Sequence, residues 1–131
     1  MTSLWTRCNN CQRILYKQDI LDNLAVCPAC GFHFRVSAEE RLQMLFDDGA
    51  YEVLDAHIHS VDALHFVDIK AYADRIRDNE RKTGLPEAIV TARGIMGGIP
   101  VYILAMDFGF LGGSVASVVG EKIARACERA L

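Results

Sequence analysis

Four cysteines fall in two Cys-x-x-Cys pairs, Cys8 with Cys11 and Cys27 with Cys30, and 15 residues separate the pairs. A Cys-x-x-Cys turn aims two soft sulfur ligands at one side of an ion. A second turn brought close by a hairpin completes the tetrahedron that zinc prefers. A redox dithiol needs only one such pair, and two disulfides need an oxidising compartment. The spacing therefore points to one zinc ion held by Cys8, Cys11, Cys27 and Cys30. All four positions of that ion are filled by protein, so its role is structural rather than catalytic. His33, three residues after Cys30, is expected beside the site or on the surface.

A second stretch, "DFGFLGGSVASVVGEK" from Asp107 to Lys122, places a glycine-rich turn before a helix. Such a turn lets backbone approach a ligand closely, and a helix start offers free N–H groups. It lacks both the Gly-Lys-Ser/Thr ending of a phosphate loop and the G-x-G-x-x-G dinucleotide pattern. A close-packed strand-to-helix turn is the plainer reading. His57, His59 and His65 show no acid or nucleophile partner at meaningful spacing, and no Ser-His-Asp or Cys-His set is evident. No catalytic side chain is assigned.

The elements that must position these groups follow from pattern. Residues 1–35 read as a zinc ribbon, with β-prone "RILYK" and "LAV" between the cysteine pairs. Ser37 and Glu40 form a capping box for a helix that carries Leu42, Leu45 and Phe46 on one face and stops at Gly49. "YEVLD" reads as a short strand and residues 56–68 as an irregular connector. "KAYADRIRDNERKTG" is a polar helix closed by Gly84. Its Arg75, Arg77, Arg81 and Lys82 alternate with acids, as on a solvated face. "EAIVTARGIMGGIPVYILAMDF" reads as two strands turning at Gly97-Gly98, both apolar enough to be central. The last helix takes Ser114 as N-cap. Its apolar stripe of Val115, Val118, Val119, Ile123, Ala126, Cys127 and Leu131 buries the Cys127 thiol.

Composition bounds the rest. The 131 residues carry 14 basic and 17 acidic side chains, a formal charge of −3, with 51% apolar residues. That is a globular balance and gives no whole-chain electrostatic argument for nucleic acid. No apolar run is long enough to span a membrane, and the N-terminus lacks a signal-peptide pattern. A cytoplasmic, reducing compartment is the expectation. An open strand–strand–loop–helix unit leaves apolar faces uncovered, so a tight partner or a longer chain is expected.

From Trp5 to Leu131 the sequence resembles the β subunit of bacterial acetyl-CoA carboxylase carboxyltransferase. The motifs are "WTRC-NNC" with "VCPAC", "DALHFVDIKAYADRI" with "KTG", and "GIPVYILAMDFGFLGGSVASVVGEK", in that order. The resemblance implies an α/β fold: a four-cysteine zinc ribbon over 1–35, then the opening of a crotonase-like domain over 36–131. It implies carboxyl transfer from carboxybiotin, on a separate carrier protein, to acetyl-CoA, giving malonyl-CoA for fatty acid synthesis. It implies an α subunit in an α2β2 assembly, with biotin carboxylase and biotin carboxyl carrier protein as further partners. It places Gly112, Gly113 and Ser114 near the acyl-CoA site. Family members often have Gly where this chain has Ala116, and the resemblance implies that they continue past Leu131 into a next strand and a further glycine-rich segment that furnishes an oxyanion hole and much of the CoA pocket. The chain alone is therefore expected to be inactive. Two other readings stay open: a zinc-ribbon module that binds nucleic acid or protein, and a shortened, non-catalytic regulatory partner.

Overall fold

The computed structural model describes residues 4–131, which divide after Val36 into two compact units, 4–36 and 37–131. In the first unit, β1 (Trp5–Arg7) pairs antiparallel with β2 (Ile14–Tyr16), with Trp5 opposite Tyr16. A short helix unforeseen in the sequence, α1 (Lys17–Asp22), follows β2 directly and buries Ile20. The "LAV" run contributes only a single bridge, from Val26 to His33.

In the second unit, α2 (Ala38–Leu45) starts with the expected capping box. Ser37 Oγ accepts from the Glu40 N–H at 3.2 Å, and the Glu40 carboxylate accepts from the Ser37 N–H at 2.7 Å. The helix ends at Leu45 rather than at Gly49. Phe46 turns extended so that its ring can enter the core, and a 3₁₀ turn over Asp47–Gly49 follows. Leu42 is buried with Phe46, whereas Leu45 is exposed. Then come β3 (Tyr51–Leu54), the irregular connector, and α3 (Tyr72–Thr83). Gly84 closes α3 in the left-handed conformation, donating its N–H to the Glu80 carbonyl at 2.8 Å.

Strands β4 (Ile89–Met96) and β5 (Ile99–Met106) form the predicted hairpin, and Gly97 and Gly98 both take positive φ as its two-residue turn requires. The sheet order is β3-β4-β5, all antiparallel. Only β4 is central among the described strands; β5 lies at the edge. Its apolar residues are explained by layers above and below it rather than by a neighbouring strand on each side.

Alternation along the hairpin divides the core in two. On one face Val90, Ala92, Val101, Ile103 and Ala105 pack with Ala38, Leu42 and Phe46. On the other, Ile89, Leu104 and Met106 pack with Ile76 of α3, Phe110, and Val119 of the last helix, α4 (Ser117–Ala130). Gly94 faces the first cluster, and a Cβ there would meet the Phe46 ring at 2.6 Å and the Ala50 carbonyl at 2.8 Å. Only glycine lets that ring lie against the strand.

Helix α4 departs from expectation in three ways. Its N-cap is Ala116, with no side-chain cap, because extended backbone separates Ser114 from the first turn. Its buried residues are Val118, Val119, Lys122 and Ala126, while Val115, Ile123, Cys127 and Leu131 are exposed. The stripe is wider than the sheet can cover, so Cys127 is an exposed thiol and not a buried one. Lys122, in contrast, is 1% exposed. Its Nζ reaches the Ile89 carbonyl at 3.4 Å, and loss of hydration pushes its pKa down against the pull of Glu87 and Asp55.

Two carboxylates tie distant segments together. Asp47 accepts from the N–H groups of Gly97 and Gly98, both at 2.9 Å, and so clasps the hairpin turn. Asp55, at the end of β3, accepts from both terminal nitrogens of Arg129 on α4, one at 3.0 Å, and lies 3.6 Å from Arg125. The Gly98 and Gly97 amides hold the Asp47 carboxyl below the usual range, and the Arg129 guanidinium does so for Asp55. A depressed carboxylate contributes stability that is present above the unfolded value near 4. That stability is lost as pH falls through the lower folded value. Asp47→Asn keeps only one of the two acceptors, and we expect its melting temperature at pH 7 to fall by a few degrees. The difference from wild type should shrink in melts repeated towards pH 3. Asp55→Asn should cost about 1.5–3 kcal/mol in urea unfolding at pH 7, because a charged, shielded acceptor is lost.

Candidate functional site

Two identical knuckles carry the cysteines. After Cys8 and Cys11, the Gln12 N–H returns to the Cys8 carbonyl at 3.0 Å, and Cys8 itself donates to the Arg13 carbonyl at 2.9 Å. After Cys27 and Cys30, the Gly31 N–H returns to the Cys27 carbonyl at 2.9 Å, and Cys27 donates to the Phe32 carbonyl at 2.8 Å. Gln12 and Gly31 both have positive φ, 61° and 72°, which bends the chain back at the same point of each knuckle. Glycine serves this geometry without strain, whereas Gln12 adopts it with a side-chain bond to the Asn9 carbonyl at 2.9 Å.

The four sulfurs lie within 4.8 Å of one another. Across the two knuckles, Cys8 and Cys30 are 3.7 Å apart and Cys11 and Cys27 are 3.8 Å apart. A tetrahedron with metal–sulfur bonds near 2.3 Å has edges of about 3.8 Å, so the donor set fits one zinc ion in both chemistry and size. A disulfide needs about 2.05 Å, and all four thiols are unpaired. The Asn10 side chain draws the Cys30 thiol down to about 6. The Arg13 amide pulls on Cys11, but burial and the neighbouring thiols still leave it at about 11. His33 is exposed and is not one of the clustered donors.

The glycine-rich turn is built differently. Leu111, Gly112 and Gly113 are three consecutive residues with positive φ, at 46°, 66° and 75°. Phe110, fully buried in the second core cluster, accepts from the Gly113 N–H at 2.8 Å and so anchors the turn. Among the described residues, the N–H groups of Gly112, Ser114, Val115 and Ala116 meet no acceptor. Gly112, Gly113 and Ser114 thus fall together, as expected, on one uncovered turn leading into α4. They form a short row of neutral hydrogen-bond donors with no ionisable side chain among them.

Other candidates are committed elsewhere. His59 has a carboxylate partner that sequence spacing did not show, Glu80, at 3.2 Å. Ser60 donates to the buried Glu87 carboxylate, which also accepts from the Ala88 N–H at 2.8 Å. Ser60, Asp62, Ile76, Arg77 and Glu80 line an open cleft beside α3. His59 pairs with Glu80 and not with Ser60, so no nucleophile–base pair is assembled there. On α3, Arg75 pairs with Asp68, Arg77 with Asp74 and Arg81 with Asp78, all exposed, as expected for a solvated face. No helix is long and apolar enough to cross a membrane.

Comparison with known proteins follows the same division of the chain. Residues 5–30 match the acetyl-CoA carboxylase zinc finger domain, which makes the four-cysteine ribbon a structural zinc module. Residues 37–131 match the carboxyl transferase domain. The acetyl-coenzyme A carboxylase carboxyl transferase subunit beta of Chlorobaculum parvum is 48% identical over 128 residues, 98% of this chain and 46% of the relative. The protein of the same name from Citrifermentans bemidjiense is 49% identical over 128 residues, again 98% of this chain and 45% of the relative. That of Synechococcus sp. (strain JA-3-3Ab) is 47% identical over 127 residues, 97% of this chain and 40% of the relative. The chain therefore spans somewhat under half the length of the curated relatives it matches. With the domain match covering residues 37–131 and following the ribbon directly, the chain belongs to the carboxyl transferase domain family.

Proposed function

We propose that this chain provides the zinc ribbon and the opening part of the carboxyltransferase domain of an acetyl-CoA carboxylase β subunit. The reaction moves a carboxyl group from carboxybiotin, borne by a separate carrier protein, to acetyl-CoA, giving malonyl-CoA. The observation that carries this reading is the ordered pair of matches, ribbon then carboxyl transferase domain, over nearly the whole chain. The boundary between domains is drawn at 35/36, and the separation of compact units one residue later supports it. Cys8, Cys11, Cys27 and Cys30 are the zinc ligands. The edges of the sulfur cluster support this, as does the absence of a vacant position for substrate once four thiolates are bound.

The turn at Gly112, Gly113 and Ser114 is the part of this chain suited to the chemistry. Carboxylation at the methyl carbon of a thioester passes through an enolate, whose oxygen gains negative charge. Preorganised N–H donors stabilise such an oxygen without taking or giving a proton. The free amides of Gly112 and Ser114 are of this kind, which supports placing acetyl-CoA at this turn. Zinc supplies folding free energy to the ribbon and takes no part in carboxyl transfer.

The proposed setting is an α2β2 carboxyltransferase with an α subunit, served by biotin carboxylase and biotin carboxyl carrier protein in the cytoplasm. Exposed Val61, Leu64, Phe66, Val67 and Ile69 in the connector support a role within a larger assembly. So do Ile123 and Leu131 on α4.

Cys27→Ser should abolish zinc binding, read by metal analysis, and unfold residues 1–35, while amide signals of Val101–Met106 shift little. Metal binding contributes an apparent ~10–16 kcal/mol to small modules of this kind, more than a ribbon of this size can replace by packing. The isolated 131-residue chain, mixed with an α subunit, carboxybiotin and acetyl-CoA, should form no malonyl-CoA by mass spectrometry. Product from that mixture would show that the chain holds a complete site.

A further inference from the structure

We propose that Asn79 and Asp107 are positioning residues for the glycine-rich turn, setting the direction of the Gly112 and Ser114 N–H groups towards an acyl thioester oxygen. The inference rests on the proposed placement of acetyl-CoA at this turn. Its evidence is separate: the hydrogen bonds that enter the turn from outside.

Asp107 is 8% exposed, and both of its carboxylate oxygens are used. Oδ1 accepts from the Gly109 N–H at 2.7 Å, and Oδ2 accepts from the Ala38 N–H at 2.9 Å. The second bond satisfies a donor in the first turn of α2 that the capping box leaves open, where a negative charge is favoured. Its own N–H is fixed to the Ala88 carbonyl at 2.7 Å. Asp107 therefore nails the first residues of the turn to the start of α2 and to the residue before β4. Gly109 has no room for a Cβ, which would come within 2.8 Å of that carboxylate.

Asn79 acts at the other end. Its Oδ1 accepts from the Leu111 N–H at 3.1 Å, while its Nδ2 donates to the Arg75 carbonyl at 2.8 Å. The side chain is thus held by α3 with its acceptor facing the turn. Leu111 is a non-glycine residue in the left-handed region, an unfavourable conformation that persists only where neighbours determine it. Asn79 and the packing of Leu111 against the second core cluster are those neighbours. Loss of the acceptor releases Leu111 towards ordinary φ, and the amides of Gly112 and Ser114 turn with it. Neither residue touches substrate in this arrangement; each acts through the backbone it holds.

The test is an acetyl-CoA titration of the 131-residue chain, followed by amide chemical shifts, with melting temperature and zinc content measured alongside. In wild type we expect shifts at Gly112, Gly113 and Ser114. Asn79→Ala should weaken the apparent Kd about fivefold, the scale of one lost hydrogen bond, with zinc content unchanged. Asn79→Asp, which keeps the acceptor, should return it to within about twofold of wild type. Asp107→Asn should also weaken binding, and should broaden the Gly109 and Ala38 amides together. Wild-type shifts at the turn with unchanged affinity in Asn79→Ala overturn the positioning role and leave the acetyl-CoA placement standing. A melting loss in Asn79→Ala that Asn79→Asp fails to repair assigns Asn79 to packing alone and also overturns it. An absence of shifts at the turn in wild type at millimolar acetyl-CoA removes the placement itself.

Discussion

The register of the β4–β5 hairpin is the constraint on which the second unit depends. Met96 opposite Ile99 at the turn fixes Ile89 opposite Met106 at the far end. With that pairing, alternate residues sort onto two faces, one against α2 and the other against α3 and α4. A slip by one residue would exchange the faces, setting Thr91 and Arg93 against Phe46 and turning Ala92 towards Phe110. The turn glycines and the Asp47 clasp fix the register at one end. At the other end the chain leaves β5 at Met106 directly into Asp107, so the register also determines where the glycine-rich turn begins.

The ribbon solves a different problem. Its strands are three residues each, and its buried residues are few. Such a module lacks the apolar area to offset its chain entropy. The two knuckles instead make their backbone bonds locally, Gln12 to Cys8 and Gly31 to Cys27, and these bonds aim the four sulfurs at one point. Zinc then closes the loop between the knuckles, and the same thiolates are removed from redox chemistry.

Much of this was legible from local rules. The cysteine spacing, the capping box at Ser37, the stop at Gly84 and the turn at Gly97-Gly98 each need only a few adjacent residues to act, and each took the expected form. What escaped depends on partners distant in sequence. Lys122 is buried because the Ile89 carbonyl lies in its path and Glu87 and Asp55 lie within its field, and no helical pattern announces that. Cys127 is exposed because the sheet covers only part of a wide stripe. His59 meets Glu80 across 21 residues of irregular connector and helix. Helix α1 is short and follows a strand without a capping side chain, so neither periodicity nor a start signal marks it. At the turn, Gly112, Gly113 and Ser114 were visible, whereas the bonds from Asn79 and Asp107 that enter it were not.

The missing N-cap on α4 bears on chemistry as well as stability. A Ser, Thr, Asp or Asn at the N-cap contributes roughly 1 kcal/mol by accepting from the first amides of a helix. Ala116 forgoes that, and Ser114, three residues before the helix, does not replace it. A side-chain cap at position 116 would serve amides inside the first turn of α4, whereas the Ser114, Val115 and Ala116 amides lie before that turn and meet no acceptor among the described residues, beside the free amide of Gly112. An acidic cap would place a competing oxygen, and a full negative charge, where an enolate oxygen is proposed to lie. Neutral donors on fixed backbone stabilise that oxygen across the pH range, because none of them titrates. A helix start that is poorly capped by the standards of folding is therefore well suited to receiving an anion, provided that the turn before it is rigid. In this chain that rigidity comes from the side chains of Asp107 and Asn79 and from the buried ring of Phe110, all of which lie outside the row of donors.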